Sequence, residues 1–83
     1  MEQKEIVYRL LKVIESGKEP KKEDIEADFE SFAEWMKIIK DDSLATNISF
    51  ATGGGTIRIV FANGSELTKD GRAYIESYDL GRI

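Results

Sequence analysis

The spacing of apolar residues changes near residue 43 of this 83-residue chain, and no other feature constrains the fold as strongly. Before this point, apolar residues recur every three or four positions, which is the spacing of one face of an α-helix. After it, they alternate with polar residues, which is the spacing of a β-strand. The pattern predicts a single α+β domain over residues 1–83, with helices first and an antiparallel strand pair after them.

Four helices are predicted, three before the change of spacing and one after the strands: 3–16, 20–27, 29–41 and 68–77. Gly17 suits the end of the first helix because glycine tolerates the left-handed backbone that closes helices. Pro20 suits the start of the second helix, where its missing N–H would be unpaired in any case. Asp28 and Thr68 are typical N-cap residues for the third and fourth predicted helices.

Two strands are predicted, over residues 44–51 and 56–62. Alternation places Ile57, Ile59 and Phe61 on one face of the second strand, with Arg58 and Val60 on its reverse. We expect the inward residues of both strands to join the helical stripes in one core. The residues expected in that core are Ile6, Leu10, Phe29, Phe32, Met36, Phe50, Ile59 and Leu67.

The stretch ATGGGTIRI, residues 51–59, contains three consecutive glycines and could be a phosphate-binding loop or the turn of a hairpin. A phosphate-binding loop joins a strand to a helix, so that the phosphate meets the free N–H groups of the helix start. Here a β-branched alternating run follows the glycines, and no lysine lies between Lys40 and Lys69. We therefore predict a hairpin with a glycine tip on which no side chain packs.

The sequence contains neither cysteine nor histidine. A disulfide scaffold and a thiolate metal site are therefore excluded, and the commonest general base is absent. We expect no enzyme activity, no cofactor, no bound metal and no small-molecule substrate. The N-terminal residues contain no long apolar run, so we expect neither a signal peptide nor a membrane partner, and we expect a cytoplasmic location.

Three helices followed by a hairpin is the order of a winged helix-turn-helix domain. The chain also contains G-x-x-P at Gly17–Pro20, Asp24–Ile25, a phenylalanine that begins the third predicted helix, and E-L-T-x-x-G-x-x-Y-I at Glu66–Ile75. These residues give it a resemblance to the YjcQ-like group of small bacterial and prophage winged-helix proteins. The resemblance implies an α+β winged-helix fold with a hairpin wing and a C-terminal helix. It also implies a DNA-associated transcriptional regulator.

Under the DNA hypothesis, the third predicted helix enters the major groove and the glycine wing approaches the minor groove or the backbone. The candidate DNA-contacting residues are Ser31, Lys37, Thr52, Gly53, Gly54, Gly55, Thr56 and Arg58. The charge of the third helix and its surroundings opposes this function. Residues 23–42 contain two basic and eight acidic residues, a net charge of −6, whereas affinity for DNA comes largely from neutralised phosphates.

The second hypothesis is an acidic module that binds another protein, since a fold does not fix a function. Its candidate contact residues are Glu34, Trp35 and Ile38, which lie off the apolar stripe of the third predicted helix. An exposed tryptophan beside an exposed isoleucine is typical of a protein contact, whereas a tryptophan packed at the edge of the core would have no such role. DNA, a protein partner and a second copy of the chain all stay open from the sequence.

Overall fold

The computed structural model describes residues 2–83 and contains, in that range, three α-helices and one antiparallel β-hairpin, which confirms the predicted α+β class. The elements are α1 (Gln3–Glu15), a 3₁₀ helix (Lys22–Ile25), α2 (Phe29–Asp41), β1 (Ser49–Gly53), β2 (Thr56–Phe61) and α3 (Lys69–Asp79). Within residues 2–83, no helix combines the length and the apolar character needed to cross a bilayer.

The second predicted helix, over residues 20–27, is wrong, because this segment forms only the four-residue 3₁₀ helix. The backbone N–H of Lys21 donates to the Asp24 carboxylate at 2.7 Å, which closes a short turn at its start. Glu26 then adopts a left-handed backbone with φ +53°, which ends the helix after one turn. Ile25 is nevertheless buried, and it fixes this segment to the core.

The helix termini follow the predicted caps. The Asp28 carboxylate accepts the N–H of Ser31 at the start of α2, and the Thr68 hydroxyl accepts the N–H of Gly71 at the start of α3. Gly17 has φ +84°, and its N–H donates to the Ile14 carbonyl at the end of α1. These short-range hydrogen bonds satisfy backbone groups that a helix leaves unpaired at its ends.

The core lies between the three α-helices and the segment that leads into the hairpin. Its buried apolar residues are Val7, Leu10, Leu11, Ile14, Ile25, Phe32, Ala33, Met36, Ile39, Leu44, Ala45, Ile48, Ala62 and Ile75. Of the residues expected there, Leu10, Phe32 and Met36 are buried. Ile6, Phe29, Phe50 and Leu67 are half-buried and pack against the same core.

The first predicted strand begins five residues later than expected, at Ser49 instead of residue 44. Asn47 has φ +58°, a left-handed conformation that interrupts the alternation of the segment before the strand. Ala45 instead pairs with Leu67 in an isolated antiparallel bridge. The segment that leads into the hairpin and the segment that leaves it are therefore paired directly.

The expectation that Ile59 lies in the core is wrong, because β2 contains one extra residue relative to β1. Thr52 pairs with Ile57 and Ala51 pairs with Ile59, so Arg58 forms a β-bulge. A bulge of this kind reverses the alternation of side chains along a strand. Ile57 and Val60 are consequently half-buried, whereas Ile59 and Phe61 are 49% and 51% exposed.

Gly71 allows α3 to lie directly against the chain that follows α2. A Cβ atom built on Gly71 would overlap the Leu44 carbonyl oxygen. That carbonyl accepts the N–H of Thr68 at 3.1 Å, and the Thr68 hydroxyl donates to the Ser43 carbonyl at 2.6 Å. The threonine and the glycine of the Leu-Thr-x-x-Gly motif therefore have one shared role, which is to join α3 to the end of α2.

The Gly71→Ala variant should be less stable than the wild-type chain by about 1–3 kcal/mol, because a backbone atom must move to admit the methyl group. Without that overlap, replacing glycine by alanine inside a helix would stabilise the protein by about 0.5–1 kcal/mol. Urea unfolding followed by circular dichroism gives the sign directly. A rise in the free energy of unfolding would contradict the close contact.

Phe32→Ala should lower the free energy of unfolding by about 3–5 kcal/mol, because Phe32 is buried in the core. Ile59→Thr should change it by no more than about 0.5 kcal/mol, because the bulge turns Ile59 toward solvent and threonine keeps the β-branched shape. Denaturation of both variants under the same conditions checks the two values. An equal loss of unfolding free energy in the two variants would place Ile59 in the core and contradict the bulge.

Candidate functional site

A groove of about 510 Å³ lies between α2 and the tip of the hairpin, and we call it the α2–hairpin groove. Its α2 wall consists of Phe29, Glu30, Ala33, Glu34 and Lys37, and its hairpin wall consists of Gly55, Thr56, Ile57 and Arg58. Phe29 and Ile57 are half-buried and Ala33 is buried, so the floor of the groove is apolar. The charged residues are exposed and stand above this floor.

The groove brings together four of the eight candidate DNA-contacting residues and one candidate protein-contacting residue. Those residues are Lys37, Gly55, Thr56, Arg58 and Glu34. Thr52, Gly53 and Gly54 belong to the hairpin but do not line the groove. Ser31 is half-buried, and its N–H is used by the N-cap of α2.

Trp35 is half-buried and packs against the core, so it belongs to the edge of the core rather than to an exposed patch. Ile38 is also half-buried. At 3.6 residues per turn, Trp35 lies on the flank of α2 opposite the residues that line the groove. Trp35 is therefore separated from Glu34, whereas Ile38 lies one helical turn from Glu34 but does not line the groove.

The glycine stretch is the turn of a hairpin, as predicted, because it joins two antiparallel strands. Gly54 and Gly55 have φ values of +62° and +82°, the pair of positive angles found in two-residue type I′ turns. These two positions require glycine, whereas Gly53 does not have a positive φ. The conformation of the turn therefore accounts for two of the three glycines.

The expectation that no side chain packs on the glycine tip is wrong, because Arg58 lies across it. Its Nε–H donates to the Gly53 carbonyl at 3.2 Å, and the Thr56 hydroxyl donates to the same oxygen at 3.1 Å. The Cγ atom of Arg58 is 3.5 Å from the position of a Cβ built on Gly53. The bulge and the glycines together give this arginine a defined position at the mouth of the groove.

The groove contains four exposed charges of both signs, from Glu30, Glu34, Lys37 and Arg58. The only ion pair among residues 2–83 joins Lys12 to Glu15, on α1. The groove charges are therefore all without an ionic partner inside the described chain. Their sum is zero, although the whole chain has a net charge of −4.

Neither the other cavities nor the acidic residues form a comparable site in the described part of the chain. A cavity of about 450 Å³ lies between the end of α1 and the loop 64–67, and it contains none of the candidate residues. Residues 2–83 contain no group of three or more carboxylates placed to hold a metal ion. The α2–hairpin groove is therefore the surface on which the candidate residues converge.

Comparisons with known protein families, with curated proteins and with solved structures found no match to this chain. The resemblance to the YjcQ-like group stays a prediction. The function has to be inferred from the residues of the groove.

Two residues that line the groove, Phe29 and Ile57, lie on faces predicted to point toward the core. Phe29 packs against the core and also lines the groove, and half-buried Ile57 lines the groove from the hairpin. Glu30 had no assigned role. The spacing of Phe29, Ala33 and Lys37 places them one helical turn apart, which was the signal that they share one flank of α2.

The N-cap that starts α2 should make stability depend on pH. The backbone N–H of Ser31 donates to Asp28 and lowers the pKa of that carboxyl. Stability from a depressed carboxyl pKa is fully present above the unfolded pKa and is lost as the pH falls through the folded pKa. Asp28→Asn keeps a capping oxygen but does not titrate.

The difference in unfolding free energy between the wild-type chain and Asp28→Asn should therefore shrink as the pH falls below about 4. Urea unfolding at a series of pH values measures this difference. A difference that stays constant from neutral to acid pH would show that the Asp28 carboxylate gives no electrostatic support to α2.

Proposed function

We propose that this chain is a non-catalytic binding module with a winged helix-turn-helix layout, related to the YjcQ-like group, which binds a segment of another protein in the α2–hairpin groove. In this layout the 3₁₀ helix and α2 take the place of the helix-turn-helix pair, and the hairpin is the wing. One observation carries the proposal: unpaired charges of both signs stand above an apolar floor.

The charges on the α2 wall favour a protein segment over DNA. Glu30 and Glu34 are exposed in the groove, and a phosphate backbone laid along it would face both carboxylates. Placing like charges next to each other at an interface weakens binding by several kcal/mol, which is enough to exclude a wrong partner. A protein segment can instead present a cation to the carboxylates and an anion to Lys37 or Arg58.

The apolar floor supports the same partner. Phe29, Ala33 and Ile57 offer a surface on which an apolar side chain can be buried, and such buried anchors supply most of the energy of protein interfaces. The anchor surface proposed here differs from the Trp35 and Ile38 surface suggested by the sequence. Trp35 packs against the core and lies away from the groove.

DNA binding is the second candidate, and one observation favours it. Lys37 and Arg58, the two cations expected to meet phosphates, lie on opposite walls of one groove. That is the placement expected when α2 enters the major groove and the wing contacts the backbone. Both candidates therefore use the same surface, and a change of charge on it separates them.

Glu34→Lys should have opposite effects on the two kinds of ligand. Affinity for peptides selected on the wild-type chain from a displayed random library should fall about tenfold, because a cation of the peptide loses its partner. Affinity for a short mixed-sequence DNA duplex should rise, because a carboxylate that repels phosphates becomes a cation. Isothermal titration calorimetry and fluorescence anisotropy measure the two affinities.

Asp41→Lys is the matched control, because Asp41 is also exposed on α2 and undergoes the same change of charge, but does not line the groove. It should leave peptide affinity nearly unchanged. Failure to select any peptide that shifts the NMR signals of groove residues would overturn the proposal. Tight, sequence-specific binding of the wild-type chain to DNA would favour the second candidate instead.

A further inference from the structure

Arg58 is held in position before any partner binds. Its Nε–H is bonded to the Gly53 carbonyl, and one terminal nitrogen lies 3.7 Å from where a Cβ on Gly54 would stand. The side chain thus follows the backbone of the glycine tip instead of extending freely into solvent.

The two terminal Nη groups of Arg58 are left available. Among the side-chain hydrogen bonds of residues 2–83, Arg58 uses only its Nε–H, and no carboxylate of these residues forms an ion pair with it. The Nη groups form a planar fork whose two N–H groups match the two oxygens of a carboxylate. Because the side chain is already ordered, less of its entropy is lost when a ligand binds.

We propose that Arg58 is the specificity-determining residue of the α2–hairpin groove, and that it binds an aspartate or glutamate side chain of the bound protein segment. This inference rests on the proposed function. The preferred segment then contains three chemical features: a carboxylate for Arg58, an apolar side chain for Phe29 and Ile57, and a cation for Glu30 and Glu34.

Lys37 lines the same groove but has a different role. Its side chain forms no ion pair within residues 2–83, and an ammonium group acts as a mobile point charge without a planar fork. Variants that preserve charge therefore separate geometry from charge. Arg58→Lys keeps the charge and removes the fork. Arg72→Lys makes the same change at another exposed arginine, which also donates to a backbone carbonyl but does not line the groove, and it is the matched control.

The experiment uses peptides selected on the wild-type chain from a displayed random library, each resynthesised with its acidic residue replaced by the corresponding amide. Calorimetry should show that the amide weakens binding by at least about tenfold. Arg58→Lys should weaken binding of the acidic peptide by a similar factor. Binding of the amide peptide to Arg58→Lys should be little weaker than after either change alone, because both changes remove the same interaction. Arg72→Lys should leave the affinity within about threefold, because Arg72 lies outside the groove.

Substitutions at Gly53 test whether the position of Arg58 matters. A methyl group at residue 53 would be in ordinary contact with Arg58, so Gly53→Ala should bind the peptides as the wild-type chain does. Gly53→Leu needs the space that Arg58 occupies and should reproduce the loss caused by Arg58→Lys. Circular dichroism of each variant verifies that the domain is folded when binding is measured.

The possible failures are distinguishable. Peptides that shift the NMR signals of groove residues but bind Arg58→Lys and the wild-type chain equally well would overturn this inference while the proposed function stands. A short mixed-sequence DNA duplex that binds more tightly than every selected peptide would overturn both. Selected peptides that lack any recurrent acidic residue would overturn the carboxylate specificity alone.

Discussion

The hydrogen bonds around Thr68 determine where every other part of the site lies. The Thr68 hydroxyl donates to the Ser43 carbonyl, and its N–H donates to the Leu44 carbonyl. A third bond, from the Thr46 N–H to the Glu66 carbonyl at 2.8 Å, continues this pairing toward the hairpin. The hairpin is therefore joined at its base to the end of α2, and Gly71 makes that junction close enough to leave α2 beside the wing. The groove exists because this junction fixes both of its walls.

Much of the fold follows from short-range chemistry that can be predicted from the sequence. Asp28, Thr68 and Gly17 act where capping preferences place them, because each contact involves residues three or four positions apart. The predictions that were wrong also share a physical cause. Asn47, Glu26 and the bulge at Arg58 depend on backbone conformations that a hydrophobic pattern does not encode. A single extra residue in β2 was enough to turn Ile59 toward solvent, although Ile57, predicted on the same face, stays half-buried.

The candidate site was only partly predictable for a related reason. Lys37 and Arg58 could be singled out as cations, and the glycine tip could be recognised as a turn. Their meeting in one groove depends on the junction at Thr68, which connects residues 25 positions apart. Glu30 received no role, since its importance comes from facing the hairpin. Trp35 was prominent because of its residue type, although the core takes up much of its surface.

The location of charge decides between partners more clearly than its total. A net charge of −4 opposes any polyanion, yet the groove itself is neutral, with two carboxylates and two cations. A phosphate backbone has one sign of charge and can satisfy only the cations, leaving Glu30 and Glu34 against phosphate. A protein segment can satisfy both signs while it buries an apolar side chain between them. Since residues 2–83 supply no ionic partner for these four charges, an external segment that pairs them removes no ion pair of the described chain. The bulge that turns Arg58 toward the tip therefore links the irregularity of the hairpin to the chemistry of the groove.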